Sequence, residues 1–170
     1  MAGFTVYDVV ITTFINGLKT FDHILSKAEE YAEEKGLDVN TVFAEARLIQ
    51  DQNPLTFQVQ NATKVVKLSV GRLTGVELEP FSDKEKTIED LHKRIQDTLQ
   101  LLKSIKPDDV NPKGDEEIEV PFGRVSRKNA VLAHGIPNFF FHLTTAYSIL
   151  RHKGVPLGKA DFITDFIGQR

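Results

Sequence analysis

Three features of the 170-residue sequence predict an all-α domain. Apolar residues recur at steps of three and four along four long segments, the periodicity of a single helix face. Start and stop signals of the kind that cap helices bracket those segments. The most apolar and aromatic stretch, Ala130 to Gly154, has apolar side chains round most of a helical circumference, so it is expected at the centre of the fold. That same stretch carries three of the five histidines.

The first segment opens at Thr5, with Asp8 placed three residues on to complete a capping box. Val10, Phe14, Gly17, Phe21, Ile24, Ala28 and Tyr31 form its inner stripe, and Lys35-Gly36 marks its end. Gly17, inside that stripe, is expected to admit a closely packed neighbour. His23 lies off the stripe and is assigned to solvent. Asp38 to Phe43 is expected to form a short helical turn, after which the chain must reverse before Pro54. With Asn53 as its expected cap and Pro54 in its first turn, a second helix buries Leu55, Val59, Ala62, Val66 and Leu73 and stops at Thr74-Gly75.

Thr87 and Asp90 repeat the capping-box pair and open a third helix, with Ile88, Leu91, Ile95, Thr98, Leu102 and Ile105 turned inward. His92 stands beside Lys93 and Arg94 and is assigned to a solvated face. Pro107 ends this helix, because proline lacks an N–H and disfavours helix at the preceding residue. From Asp108 to Arg127 the chain is irregular, and the alternation Glu117-Ile118-Glu119-Val120 suggests a small hairpin or flap. The acidic run Asp115-Glu116-Glu117 is expected to be solvated.

The last long helix begins near Ser126, and Gly135 with Pro137 should kink or interrupt it. Beyond the interruption Phe139, Leu143, Ala146 and Leu150 make a core line, while Asn138, His142, Thr145 and Ile149 make a partly polar line beside it. Arg151-His152-Lys153 complements the helix C-terminus ahead of Gly154. The tail then offers Phe162, Ile163, Phe166 and Ile167 to some surface, either its own domain or, slightly favoured, a homodimer contact.

Composition narrows the function classes. Residues 1–170 are read as one domain large enough for a real core. A formal charge of -3, with cations scattered among acids, provides no nucleic-acid footprint. Without cysteine there is no disulfide, no thiolate metal site and no cysteine nucleophile, which suits a cytoplasmic chain. No basic leader is seen, and no apolar run approaches the roughly 20 residues a membrane span needs.

Two stretches carry a resemblance. Ala46-Arg47-Leu48-x-x-Asp51-x-x-Pro54-Leu55-x-x-Gln58-Val59-Gln60 and Pro137-Asn138-Phe139-x-Phe141-His142-x-Thr144-Thr145-Ala146-Tyr147, with Gly158-Lys159-x-Asp161-Phe162 after it, resemble the domain of unknown function 1993 family. That family is similar in fold to the DinB and YfiT-like metalloenzyme group. The resemblance implies an up-down-down-up four-helix bundle, interrupted by the irregular or hairpin insertion before the last helix. It also implies a metal site built from one histidine of the second helix and two, four residues apart, of the last. Here those positions match Gln58, Asn138 and His142, so the three-histidine pattern is not kept. Zinc or nickel would then have His142 as a ligand and His134 as a second imidazole, since amides are weak replacements for imidazole or carboxylate.

The expected function is therefore small-molecule binding in a polar pocket around His142, lined by Asn138, Gln58 and Tyr147, with Arg47 and Asp51 at the rim as an ion pair. Two alternatives stay open. One is a transferase or hydrolase of the DinB-like type, using a metal or the acid and base chemistry of His142. The other is an interaction protein without a ligand.

Overall fold

The computed structural model describes residues 3–168. Seven α-helices follow in order: α1 (Val6–Lys35), α2 (Leu55–Thr74), α3 (Ile88–Ser104), α4 (Pro107–Val110), α5 (Arg127–Ala130), α6 (Ile136–His152) and α7 (Lys159–Ile167). An antiparallel hairpin, β1 (Glu117–Val120) and β2 (Gly123–Ser126), precedes α5, with Glu117 opposite Ser126 and Val120 opposite Gly123. The chain is mostly helical, as the periodicity predicts. No described helix is long and apolar enough to cross a membrane.

Local chemistry sets the helix ends. Thr5 and Asp8 form one capping box and Thr87 and Asp90 another, while Gly36 and Gly75 close α1 and α2 in the left-handed conformation, at φ 64° and 73°. Asn53 is not the cap of α2. Pro54 occupies that position without a side-chain bond, and the Asn53 carbonyl accepts instead from Gln58.

The four long helices enclose the core: α1 packs on α3, α6 and α7, and α2 packs on α3 and α6. Phe139 of α6 is fully buried between Phe14 and Phe21 of α1, with ring centroids 5.3 and 6.1 Å away, both edge-on. Gly17 makes room for it. A Cβ at that position would lie 2.7 Å from Phe139 Cζ, inside contact distance.

The predicted interruption at Pro137 takes a specific form. Residues Val131–Gly135 form a π-helical turn that runs directly into α6, and Pro137, which lacks an N–H, falls in the first turn after it. Gly135 brings this entry close to α2, since a Cβ there would sit 2.5 Å from Ser69 Oγ.

Two histidines tie helices together: His23 remains exposed, as expected, while His92, assigned to a solvated face, is half-buried. His92 Nδ1 lies 2.6 Å from Asp22 Oδ1 of α1, and its Nε2 lies 3.2 Å from Glu29 Oε2 but out of line for a hydrogen bond, so the second contact is one of charge. His23 Nε2 lies 2.8 Å from Asp161 Oδ1 and holds α7 against α1. Arg94 is a second correction. Its side chain is 1% exposed; Nε donates to Thr63 Oγ1 (2.6 Å) and Nη1 to Glu85 Oε1 (2.9 Å). Nη2 donates to the Gln60 carbonyl and pairs with Asp83, both at 3.0 Å. The Phe81 ring covers the guanidinium at 4.2 Å. Three residues after Leu91 and four before Thr98, Arg94 shares the inner face of α3, and it anchors the connection between α2 and α3 there. Asp83 reaches it from a left-handed backbone conformation, φ 49°, which Asp tolerates better than most residues.

The tail docks on its own chain. Phe162 meets Tyr147, Phe166 meets Phe140, and the Thr20 hydroxyl donates to the Phe162 carbonyl. Ile167 remains exposed. The tail aromatics thus have partners within their own chain, although no residue of α7 is fully buried.

Gly17→Ala is expected to destabilise the protein by about 1–3 kcal/mol, the range for overpacking a filled core. In urea unfolding, the loss should shrink when Phe139→Leu is added; strict additivity of the two changes would mean that they do not share the contact. His92 gives a second test. The Asp22 bond, chiefly, raises its pKa above the ordinary 6.5 against the opposing effect of burial. The stabilisation is then complete below about pH 6.5 and is lost as pH rises through the folded-state value. The stability difference between wild type and His92→Gln should accordingly be larger at pH 5.5 than at pH 9, by about the effect of one charge contact.

Candidate functional site

The polar line of α6 meets the start of α2. Once Phe139 points into α1, His142, three residues on, is turned toward α2, where it is 8% exposed and faces Gln58, itself 2% exposed. His142 Nδ1 lies 2.8 Å from Gln58 Oε1, and Gln58 Nε2 donates to the Asn53 carbonyl at 2.9 Å.

This chain of bonds sets the protonation of the imidazole. A backbone carbonyl can only accept, so the Gln58 amide must present its NH₂ to Asn53 and its oxygen to His142. His142 Nδ1 must therefore carry a proton and donate it. Burial depresses the His142 pKa below 6.5, favouring the neutral ring, and the neutral Nδ1–H tautomer leaves a lone pair on Nε2. Phe57 and Phe141 flank the ring edge-on, with centroids 6.1 and 5.3 Å away. Phe57 is half-buried and Phe141 is 60% exposed, so the aromatic flank opens toward solvent. The arrangement can accept a hydrogen bond or a proton at Nε2 beside an apolar surface.

Asn138 lies one helical turn before His142 and is half-buried. The other candidates go elsewhere. Tyr147 is five residues beyond His142, about 140° round the helix, and its ring packs on Phe162 of α7 at 5.7 Å. Arg47 and Asp51 do not form the expected pair, because residues 46–54 make turns rather than a helix and four-residue spacing there does not define a face. Arg47 Nη1 instead donates to the Gln52 carbonyl at 3.1 Å, and Glu45 lies 3.9 Å from Nη2. Asp51 is exposed. His134 is carried by the π turn toward the hairpin and stacks on Phe122, centroids 5.4 Å apart, with Nδ1 buried and unpartnered.

The donor set does not fit a transition-metal centre. The positions Gln58, Asn138 and His142 supply one available imidazole nitrogen and two amides, and the Gln58 oxygen is already engaged by His142. His134, in contact with the hairpin, does not complete the set. Among the described residues no group of three His, Cys, Asp or Glu is arranged to hold a metal ion.

Sequence reasoning missed the aromatic walls of the site. Phe57 adjoins Gln58 and Phe141 adjoins His142, and aromatic residues beside two facing polar positions were the available signal.

Gln58→Glu would replace the neutral acceptor by a carboxylate at hydrogen-bond distance from Nδ1. The His142 pKa should then move upward, from below its ordinary value to above it, in an NMR titration of the ring. An unmoved pKa would contradict the bond between the two side chains.

The comparisons with other proteins agree with this architecture. A crystal structure of a DinB family member protein from Shewanella denitrificans superposes with a TM-score of 0.83 at 36% sequence identity, over 93% of this chain and 91% of that one. No curated protein matches the chain. The family model for the domain of unknown function (DUF1993) matches residues 6–163, and the chain belongs to that family.

Proposed function

We propose that the His142 face of α2 and α6 binds a small molecule through a hydrogen bond donated to Nε2, with an apolar part of the ligand laid against Phe57 and Phe141. The observation that carries this reading is the relay from the Asn53 carbonyl through Gln58 to His142, which orients a neutral imidazole with its lone pair outward. The ligand class is a hydrogen-bond donor such as a hydroxyl or N–H on an aromatic or aliphatic body, because the unprotonated Nε2 can only accept.

The finer fold reading is an up-down-down-up four-helix bundle. Gly17 against Phe139 and Gly154 against Tyr31 support parallel α1 and α6. Gln58 against His142 and Ser69 against Gly135 support an opposed α2. Gln96 against Asp22, with His92 against Glu29, supports an α3 opposed to α1. Gln58 and His142 then lie at matching depth on neighbouring helices of opposite direction.

Phenol and anisole provide a matched pair of probes, differing in the hydroxyl proton. Phenol should shift the His142 Nε2 resonance in ¹⁵N spectra and anisole should not, and His142→Phe should abolish the phenol response in its neighbours. Equal responses to the two probes, or a response confined to other histidines, would overturn the reading. A thermal-shift panel of metabolites carrying the same donor group then narrows the natural ligand.

A further inference from the structure

On the outer side of α2, away from His142, the structure contains a cavity of about 590 Å³ between the C-terminal half of that helix, the connection that follows it and strand β1. That volume lies within the 300–1,000 Å³ usual for small-ligand sites. Its walls are largely apolar. Leu68, Val76, Leu78, Phe81 and Ile118 line it, and Leu68 and Val76 remain 50% and 55% exposed. Open apolar surface of this kind, inside a concavity rather than on a convex face, is what an apolar ligand body would cover.

The charges round the cavity are unequal in their commitments. Four cations border it, Lys64, Lys67, Arg72 and Arg127. Lys64 is paired with Asp83. Arg127 is engaged by Glu116 through Nε and by the Arg72 carbonyl through Nη1, where it caps the end of α2. Lys67 and Arg72 have no carboxylate within ion-pair distance among the described residues, and each leans on an aromatic ring: Lys67 over Phe81 at 4.3 Å and Arg72 toward Phe122 at 5.9 Å. Arg72 is half-buried, and its partial desolvation lowers its pKa. Two acids, Glu77 and Glu119, also border the cavity, but both are exposed and their fields are screened by water. Lys67 and Arg72 stand five residues apart, about 140° round α2, so they flank the cavity from two sides, each lacking a carboxylate partner beside an apolar wall.

We infer that this cavity is a binding site for an amphipathic organic acid, with the carboxylate paired to Arg72, Lys67 adding its charge from the other side of the cavity, and an aliphatic or aromatic body lying against Leu68, Val76, Leu78 and Ile118. The alternative of a purely apolar occupant leaves both cations unanswered. A cationic amphiphile would meet them as like charges. This site is separate from the His142 face and stands or falls independently of it.

Octanoate, used below its micelle concentration, is the probe, with 1-octanol and octylammonium as the neutral and cationic controls of the same chain length. Methyl NMR should show saturable octanoate shifts at Leu68, Val76, Leu78 and Ile118, with 1-octanol weaker by about tenfold, the scale of one charge-assisted hydrogen bond. Arg72→Gln with Lys67→Gln should bring octanoate down to the affinity of 1-octanol while leaving the melting temperature near that of wild type. Leu68→Glu, which sets an acid at the mouth, should weaken octanoate and leave octylammonium unaffected or improved. The inference is overturned if 1-octanol or octylammonium binds as tightly as octanoate. It is equally overturned if octanoate shifts appear at the His142 face instead, or if no saturable shift appears in folded wild-type protein.

Discussion

The seating of Phe139 opposite Gly17 is the contact on which the remaining structure depends. A side chain of any size at Gly17 would push α6 off α1, because the ring already stands where the Cβ would be. With Phe139 held edge-on between Phe14 and Phe21, the rotation of α6 about its own axis is settled. That rotation turns the adjacent line, with His142, onto α2. One turn before Phe139, at the N-terminus of the same helix, Gly135 allows a second close approach, to Ser69 of α2. Small residues on the α1 and α6 sides thus bring α6 near both of its long neighbours, and the polar pair between His142 and Gln58 follows from the spacing so created.

The buried polar side chains illustrate how partner identity decides charge. His92 and His142 are both largely withdrawn from water, yet they are pushed in opposite directions. His92 faces the carboxylates of Asp22 and Glu29, which favour the imidazolium more than burial disfavours it. His142 faces a neutral amide oxygen, so burial prevails and the ring is held neutral. Acidification through the ordinary histidine range therefore stabilises the fold through the first and costs stability through the second, since a depressed folded-state pKa resists protonation that the unfolded chain accepts. Arg94 is surrounded by acceptors and an aromatic face. Glu85 belongs to the same cluster: burial pushes its carboxyl up, but the bonds from Arg94 and Gln60 outweigh this and hold it below the usual value.

The chemistry available at the α2–α6 junction is that of a single neutral base. An amide at Gln58 consumes one imidazole nitrogen and orients the other, whereas a metal triad needs several lone pairs converging on one point. The contact that would have been a ligand position is here a support for its neighbour. A second surface, on the far half of α2, combines apolar walls with cations that lack a carboxylate partner, so one helix borders two surfaces of different character.

Much of this architecture was legible in the residues. Capping boxes, terminal glycines and stripes such as Phe139, Leu143, Ala146 and Leu150 are local signals, and each reports a helix face without knowledge of its neighbour. The burial of His142 and its closeness to Gln58 could be expected because a helix apolar on most sides leaves a polar line nowhere else to go. The family resemblance then supplied which helices adjoin. What stayed hidden were other partners chosen across elements: Arg94 with Asp83 and Glu85, His92 with Asp22 and Glu29, and Tyr147 with Phe162. The failed Arg47 and Asp51 pairing has the same origin, since spacing predicts contact only where the backbone is helical. By itself the sequence determined which faces are apolar, because periodicity is a property of one segment; tertiary structure alone decided which polar group meets which, because those distances are set by packing between segments far apart in the chain.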